Sequence, residues 1–441
     1  MMKSLFNDSG VWVLPKKGTI GGKAQNLFDN SGTILRDGFS VPRSLAIPFE
    51  YLLESGNPAE FVLDQIDFYF PDWLMMCVRS SAPDEDNNGR MPGLYISENL
   101  WKPDGDYALV LIDRVLRSYD NLAAKTRRLH LGFDEKGMGL LIQEPVTRTP
   151  GVFDAYTVGS FGNIGDRALL SIADPEDGMN AMNEKPLAQY RVGIDGKIAK
   201  ATLSSQYAEL AERLMSLAQN LTAIPEKGWE IEFAENNAGV HILQTTPVHK
   251  SGPIKIPNNI KSIFEPIAVL GTGEAETDGI LYAPPLFNLD DLIKFDAANK
   301  NYCLVTTHSN IASNRPEENI LNYLTNPKAI IDIKDGFFYG HPFAIHIQQY
   351  LREGRVALAG KFTDIFEEVL LEEWERGARL LDRSMRPLGL MYSPTRLVVI
   401  ADEFKEFGLV GLADGKVYDF EPVGIRDRER LTKIISDIPP P

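Results

Sequence analysis

Residues 78–86 read VRSSAPDED and place one arginine, two hydroxyl side chains and three carboxylates directly after the apolar stretch 73–77. Arginine and hydroxyl groups bind phosphate oxygens, and carboxylates bind the metal ions that accompany phosphates. The same composition is also typical of an acidic surface turn, because residues 87–89 continue the stretch as a loop. The motif therefore predicts either a nucleotide site or a solvated turn, and other segments must decide between them.

A glycine-rich segment near the start of the chain favours the nucleotide site. Residues 19–27 read TIGGKAQNL, in which two glycines precede Lys23. Paired glycines allow the backbone to approach phosphate oxygens closely, and the lysine adds a compact positive charge. A GGK triplet by itself is weak evidence, so its weight comes from the other motifs.

A pair of strand-like runs near residue 230 supplies the decisive pattern. Residues 228–247 contain GWEIEFA and VHILQTTP, separated by a polar turn. Alternation along a strand places Glu230 and Glu232 on one face. The apolar Ile231 and Phe233 then occupy the other face. Two like charges side by side are unfavourable unless a cation lies between them, so we expect magnesium bound here with a nucleotide.

Five motifs follow one another within residues 21–244: GGKAQNL, VP after a glycine, VRSSA with ED and MPG, LIQEPV with GVF, and EIEF with ILQ. Their order resembles the ATP-grasp nucleotide-binding domain of phosphoenolpyruvate synthases, pyruvate phosphate dikinases and rifampin phosphotransferases. The resemblance implies an α/β (α+β) fold with an ATP-grasp domain over residues 1–250. It also implies ATP and Mg²⁺ as cofactors. The pyruvate-binding barrel of that family is not recognised in this sequence.

The resemblance assigns roles to individual positions. It implies that Lys23 and Arg79 contact the phosphates of ATP and that Arg79 also takes part in catalysis. It implies an adenine-binding segment, including its backbone, at Gln143, Glu144 and Val146.

The strand pair carries the metal site in the same resemblance. Glu232 matches the metal-binding glutamate of the family, Glu230 matches the acidic position two residues earlier, and both are expected to bind the metal. Gln244 matches the glutamine of the Q-x-R-P motif, but Thr246 stands where the family has arginine. Arginine offers phosphates a charged fork of donors, whereas threonine offers one neutral hydroxyl. Either another cation replaces the arginine, or the site binds ATP and turns it over slowly. The candidate replacements are Arg148, His249 and Lys250.

A second domain is expected over residues 259–361, after a Pro-, Gly- and Asn-containing linker at 251–258. It contains DGFFYGH at 335–341, directly before a helix-compatible apolar run. A histidine there can have an acquired phosphate stabilised by the amides at the helix N-terminus. The pattern resembles the swivelling phosphohistidine domain of the same family, which implies that His341 carries the phosphoryl group. The alternative is a capping or packing histidine. His308 is a lesser candidate for the carrier, and His346 is expected to be a core or secondary residue.

Two further segments have weaker patterns. Residues 362–441 predict a helix and a small α/β extension whose role the sequence does not indicate. Residues 113–131 predict a helix with a basic face that is either solvated or in contact with phosphate. The basic residues of that face are Arg117, Lys125, Arg127 and Arg128.

Composition limits the class of protein. A chain of 441 residues suggests two or three domains, and a net charge of -16 argues against nucleic acid as a partner. The two cysteines, Cys77 and Cys303, lie in apolar runs and are expected to be buried thiols. No apolar run has transmembrane or signal-peptide length, so we expect no membrane association and a cytoplasmic location.

The resemblance implies an ATP-dependent phosphotransferase of the dikinase type that works through a phosphohistidine. The acceptor would be a small molecule or a site on a partner protein. Two alternatives remain open: a nucleotide-binding sensor or assembly protein with little activity, and an ATP-driven condensing enzyme of specialised metabolism. The sequence does not indicate the oligomeric state.

Overall fold

The computed structural model contains two compact units, one before residue 250 and one after residue 251, and each is described by itself. The fold is mixed α/β, with several sheets and few helices. None of the helices in the described ranges is long and apolar enough to cross a membrane. The structure describes residues 5–6, 10–14, 20–83, 95–121, 124–125, 128, 137–148, 157–164, 167–173, 188–193, 205–221, 227–249, 260–269, 273–283, 287–307, 320–333, 356–363, 390–402, 407–418 and 420–423.

The first unit contains two sheets and the helices that cover them. Its strands are β1 (Leu5–Phe6), β2 (Val11–Val13), β3 (Ser44–Ile47), β4 (Met75–Ser81), β5 (Ser97–Trp101), β6 (Gly139–Gln143), β7 (Thr157–Ile164), β8 (Arg167–Ala173), β9 (Ala188–Gly193), β10 (Lys227–Asn236) and β11 (Gly239–His249). Its helices include α1 (Gly22–Arg36), α2 (Phe49–Glu54), α3 (Pro58–Tyr69), α4 (Gly105–Ser118) and α5 (Ser205–Asn220).

The two sheets of the first unit share a core through α1. The first sheet has the order β1-β2-β3-β6-β4-β5, and the second has the order β11-β10-β7-β8-β9. Helix α1 contacts β4 and β6 of the first sheet and β11 of the second. Its apolar side chains Ala24, Leu27 and Ile34 recur at helical spacing and are fully buried. Burial of this face places the start of α1 beside the end of β4.

The second unit also contains two sheets. Its strands are β12 (Phe264–Val269), β13 (Gly273–Glu276), β14 (Gly279–Ala283), β15 (Tyr302–Thr307), β16 (Pro327–Ile333), β17 (Val356–Phe362), β18 (Met391–Ser393), β19 (Leu397–Asp402), β20 (Phe407–Leu412) and β21 (Glu421–Pro422), and it includes α6 (Leu289–Ala298). The larger sheet has the order β12-β17-β16-β15-β14-β18-β21, with β14 to β17 parallel. The smaller sheet has the order β13-β19-β20.

The parallel strands of the second unit are apolar on both faces because both faces are covered. Leu304 of β15 belongs to a core cluster with Leu292 of α6. Its neighbour Val305 belongs to a second cluster with Val399 and Val410 of the smaller sheet. Continuous apolar runs in this part of the sequence therefore encode buried central strands.

Strands expected in a separate C-terminal extension instead complete the sheets of the second unit. β18 pairs with β14, and β19 pairs with β13. The domain boundary expected after residue 361 therefore separates strands that pair within the same sheets. Such pairings join segments more than 100 residues apart, and local sequence patterns carry no signal for them.

The helix predicted over residues 113–131 is interrupted: a turn follows residue 118, and the described residues 124, 125 and 128 are helical again. Helix α4 begins earlier, at Gly105, and ends at Ser118, where a turn follows at 119–121. The carrier candidate His341, together with His346 and His308, lies outside the described residues.

Candidate functional site

Arg79 is the centre of a polar cluster that joins the two sheets of the first unit. Its Nη1 donates to Oε1 of Gln143 at 3.1 Å and reaches the carbonyl of Leu243 at 3.5 Å. Its Nη2 donates to Oε2 of Glu232 at 3.0 Å and to Oε1 of Gln244 at 2.7 Å. Only 11% of the Arg79 side chain and 21% of the Glu232 side chain are exposed. The guanidinium is therefore a largely desolvated cation held by groups from both sheets.

The two carboxylates of β10 lie on one face, as strand alternation requires. Glu232 pairs with Gln244 on β11, and Glu230 pairs with Thr246. The intervening Ile231 is buried in the hydrophobic core on the opposite face. A register shift follows directly after Glu232, so the strand is regular through both carboxylates and irregular beyond them. The result is a row of four oxygen-bearing side chains on adjacent strands.

Thr246 orients the amide of Gln244. The Nε2 of Gln244 donates to Oγ1 of Thr246 at 2.8 Å, which leaves Oε1 to accept from Arg79. Thr246 is only 4% exposed. Thr246 is thus a buried acceptor in a chain of hydrogen bonds that begins at Arg79.

Gln143 uses its side chain within the protein. Its Oε1 accepts from Arg79, while its Nε2 donates to Oγ of Ser44 at 3.3 Å and to the carbonyl of Leu243 at 3.2 Å. With both amide atoms engaged and the residue buried, the side chain ties the first sheet to β11. Any contact between this segment and an adenine ring would therefore use the backbone. Neither Ser44 nor Leu243 has a sequence signal that indicates this role.

The glycine turn before α1 packs closely against the end of β4. Gly21 has φ +77°, and a Cβ there would lie 1.7 Å from the carbonyl oxygen of Ser81. The amide of Gly22 donates to the carbonyl of Ala82 at 3.0 Å, and the amide of Ala24 donates to Oγ of Ser81 at 3.0 Å. Nζ of Lys23 lies 3.4 Å from Oγ of Ser80. The turn and the VRSSA strand, 60 residues apart in sequence, therefore form one structure.

Glu144 and Val146 continue the segment after Gln143. The Glu144 carboxylate accepts from Nη1 of Arg43 at 2.8 Å, and Val146 is buried. Burial raises the pKa of the Glu144 carboxyl above its ordinary value, and the Arg43 guanidinium opposes that shift. Arg43 itself lies over the rings of Trp12 and Phe70, 5.1 and 5.2 Å from their centroids. These contacts give the Glu144 side chain a structural partner.

Of the three cations that the sequence offers beside Thr246, Arg148 is described and is exposed to solvent. The side chain of His249 and the whole of Lys250 lie outside the described residues. Arg79 is the described cation that reaches Gln244, the hydrogen-bond partner of Thr246.

Cys77 lies on the strand two residues before Arg79 but does not act as a thiolate. Its Sγ donates to Oδ1 of Asn99 at 2.9 Å. Burial raises the pKa of the thiol to about 11, although the charge of Arg79 opposes the shift. A thiol with such a pKa is a poor nucleophile at neutral pH. Cys303 is also buried, as expected for a structural thiol.

Arg128 is a second buried cation and is not part of a solvated basic face. It is 2% exposed, its Nη1 donates to the hydroxyl of Tyr95 at 3.0 Å, and its Cζ lies 3.7 Å from the ring centroid of Tyr119. Its Nε and Nη2 have no hydrogen-bond partner within the described structure. The expectation of a solvated side chain is therefore wrong for Arg128, which packs against Tyr95 and Tyr119.

The donor set around Glu232 fits magnesium. Carboxylate, amide and hydroxyl oxygens lie side by side on β10 and β11, and Mg²⁺ prefers oxygen ligands. Within the described ranges no group of three His, Cys, Asp or Glu side chains could hold a metal alone. Mg²⁺ commonly needs only one or two carboxylates when phosphates and water supply the remaining ligands. The site is therefore suited to a metal that arrives with a phosphate ligand.

No protein-family model matches the chain, and no curated protein matches it. Among solved structures, D-alanine–D-alanine ligase from Bacillus anthracis is similar with a TM-score of 0.24 and 8% identity, over 49% of this chain and 54% of the ligase. The match spans about half the length of that enzyme. A similarity at this level carries no argument about the site, whose interpretation depends on its own residues.

Proposed function

We propose that this chain is an ATP-dependent phosphotransferase of the dikinase type, in which the first unit binds Mg-ATP and His341 receives the phosphoryl group. The observation that carries the proposal is the convergence of Gln143, Glu232 and Gln244 on the guanidinium of Arg79. The order of motifs along the sequence supports it independently. The acceptor of the phosphoryl group is a small molecule or a site on a partner protein.

The cluster has the chemistry that binding of a polyphosphate needs. Arg79 has donors in a planar fork that matches phosphate oxygens, and its partial burial strengthens each contact. Lys23, next to the end of β4, adds a second cation. Glu232 and Glu230 would hold Mg²⁺, which neutralises charge on the phosphates.

The transfer step requires little covalent chemistry from the first unit. One imidazole nitrogen of His341 attacks phosphorus, and the bond from phosphorus to the leaving oxygen of the nucleotide breaks. Arg79 and Lys23 stabilise the charge that develops on the oxygens. Attack by a nucleophilic atom of the acceptor then releases His341.

The test separates binding from transfer. Calorimetry should detect ATP binding with Mg²⁺ and much weaker binding without it, and Glu232→Ala should abolish that difference. Label from γ- or β-³²P-ATP should appear as acid-labile phosphate on the wild type and disappear in His341→Ala. The matched controls His308→Ala and His346→Ala should retain the label. Equal ATP affinities with and without Mg²⁺, or label retained in His341→Ala, would contradict the proposal.

A second candidate, a nucleotide-binding protein without transfer activity, is favoured by Thr246. Its side chain is buried, uncharged and bonded to Gln244, so position 246 supplies no cation to a transition state. In this case calorimetry would detect Mg-ATP binding while no phosphate would be incorporated. An ATP-driven condensing enzyme would give a third result, in which ATP is consumed without labelling His341.

A further inference from the structure

The position of one nitrogen atom of Arg79 has a consequence for metal binding. Nη2 lies 3.0 Å from Oε2 of Glu232 and 2.7 Å from Oε1 of Gln244. These two oxygens belong to cross-strand partners on β10 and β11. They are also the oxygens that would bind a divalent ion at this face. The guanidinium nitrogen therefore lies between the two ligands of the expected metal.

The guanidinium and a metal cannot both bind these oxygens. Mg²⁺ lies about 2.1 Å from each ligand oxygen, so an ion bonded to both would contact Nη2. The two cations would also repel each other strongly where the surrounding side chains exclude water. In the described cluster the charge of Arg79 is paired with that of Glu232.

We propose that Arg79 acts as a surrogate cation that keeps divalent metal out of this site until a phosphate ligand draws the guanidinium away from Glu232. Phosphate oxygens are suited to this exchange because they bind the arginine fork and the metal at once. Metal binding at Glu232 is then coupled to nucleotide binding through one side chain. The nucleotide-linked half of this inference rests on the proposed function, whereas the exclusion of metal does not.

The hydrogen bond from Gln244 to Thr246 supports the surrogate arrangement. Because Thr246 accepts from Nε2, the oxygen of the amide is directed at Arg79. Gln143 and the carbonyl of Leu243 hold the other nitrogen of the guanidinium. Four acceptors therefore position the cation, which explains how a long side chain stays at one place on the face of β10 and β11.

The experiment measures Mn²⁺ binding without nucleotide, by electron paramagnetic resonance of the free ion. The wild type should bind Mn²⁺ weakly at this site, whereas Arg79→Met, which keeps the length of the side chain without its charge, should bind at least tenfold more tightly. Adding Glu232→Gln to Arg79→Met should remove the gain and so identify the site. Arg114→Met is the matched control, because Arg114 pairs with Glu98 at 3.0 Å on the same unit. This control should gain no Mn²⁺ affinity.

Two results would overturn the inference. One is an unchanged Mn²⁺ affinity in both Arg79→Met and Arg79→Gln with circular dichroism like that of the wild type. The other is that Mn²⁺ without nucleotide raises the melting temperature of the wild type and that Glu232→Gln abolishes this rise. Neither measurement uses ATP. Failure of the proposed function would instead appear as absence of Mg-ATP binding in calorimetry, while the Mn²⁺ gain in Arg79→Met would persist.

Discussion

Gln244 donates its side-chain amide to the hydroxyl of Thr246 across 2.8 Å, and both residues are buried. Because the amide has one oxygen and one nitrogen, this bond decides which of them faces Arg79. Thr246 is therefore an integral part of the cluster.

Replacing Thr246 by Val should loosen that arrangement. Valine has nearly the same shape but no acceptor, so Nε2 of Gln244 would be buried without a partner. We expect the free energy of unfolding to fall by about 1–3 kcal/mol and ATP affinity to fall with it. Urea unfolding and calorimetry measure the two effects. Thr246→Ser retains the hydroxyl and should stay close to the wild type, so equal losses in both variants would contradict this role.

Replacing Thr246 by arginine should not raise phosphoryl transfer. Thr246 is 4% exposed and pairs with Glu230, so an arginine must displace packed neighbours, at a cost of about 1–3 kcal/mol. Single-turnover consumption of ATP is the measurement. A gain of tenfold or more, about 1.4 kcal/mol off the barrier, would indicate that Thr246 is the lesion of a degenerate enzyme.

The glycine turn allows a comparison between two glycines with similar positive φ angles. Gly21 and Gly56 have φ +77° and +73°, but a Cβ at Gly21 would overlap the Ser81 carbonyl, whereas a Cβ at Gly56 would meet nothing within 4 Å. Gly56→Ala should cost only the backbone strain, about 1–2 kcal/mol. Gly21→Ala should cost several kcal/mol more in urea unfolding and should also weaken ATP binding. Similar losses in both variants would show that the turn is not locked against β4.

His241 should make the first unit less stable as the pH falls. Its ring nitrogen Nε2 lies 3.0 Å from Oδ1 of Asn236, whose amide nitrogen donates to the Thr147 carbonyl, so Nε2 carries the proton. Nδ1 is buried without a partner in the described part of the chain. Burial lowers the pKa of His241 below 6.5.

The imidazole of His241 therefore takes up its second proton at a higher pH in the unfolded chain than in the folded chain. The contribution of His241 to stability is complete above pH 6.5 and is lost as the pH falls through the folded pKa. Urea unfolding of the wild type and of His241→Gln, which cannot titrate, should show a weaker pH dependence in the variant. Identical slopes below pH 6.5 would rule out this role.

Asp296 should be a main stabilising residue of the second unit. Its buried carboxylate accepts from the Tyr302 hydroxyl at 2.7 Å, from the amide and hydroxyl of Thr325 at 2.9 Å each, and from the amide of Asn326 at 3.0 Å. Asp296→Ala leaves these donors without an acceptor and should cost about 3–5 kcal/mol. Thermal unfolding monitored by circular dichroism is the measurement. The exposed Asp290 on the same helix is the control, and a loss below 1 kcal/mol in Asp296→Ala would contradict the prediction.

The sequence by itself determined the local geometry of the site. Alternation predicted that Glu230 and Glu232 share a face, because successive side chains of a strand point to opposite sides. Paired glycines predicted a tight turn before a helix, and Gly21 has the positive φ that glycine tolerates. Both features depend on neighbouring residues, so a short stretch of sequence is enough to encode them.

Only the tertiary structure decided which of these groups meet and with what partners. Arg79 and Glu232 are 153 residues apart, yet they form an ion pair. The sequence pattern predicted only a metal as the partner of Glu232. Arg128 is buried against Tyr95 and Tyr119, and strands after residue 390 pair with strands that begin before residue 284. These outcomes depend on long-range packing, in which a buried charge must find a partner and an apolar strand must find a sheet edge.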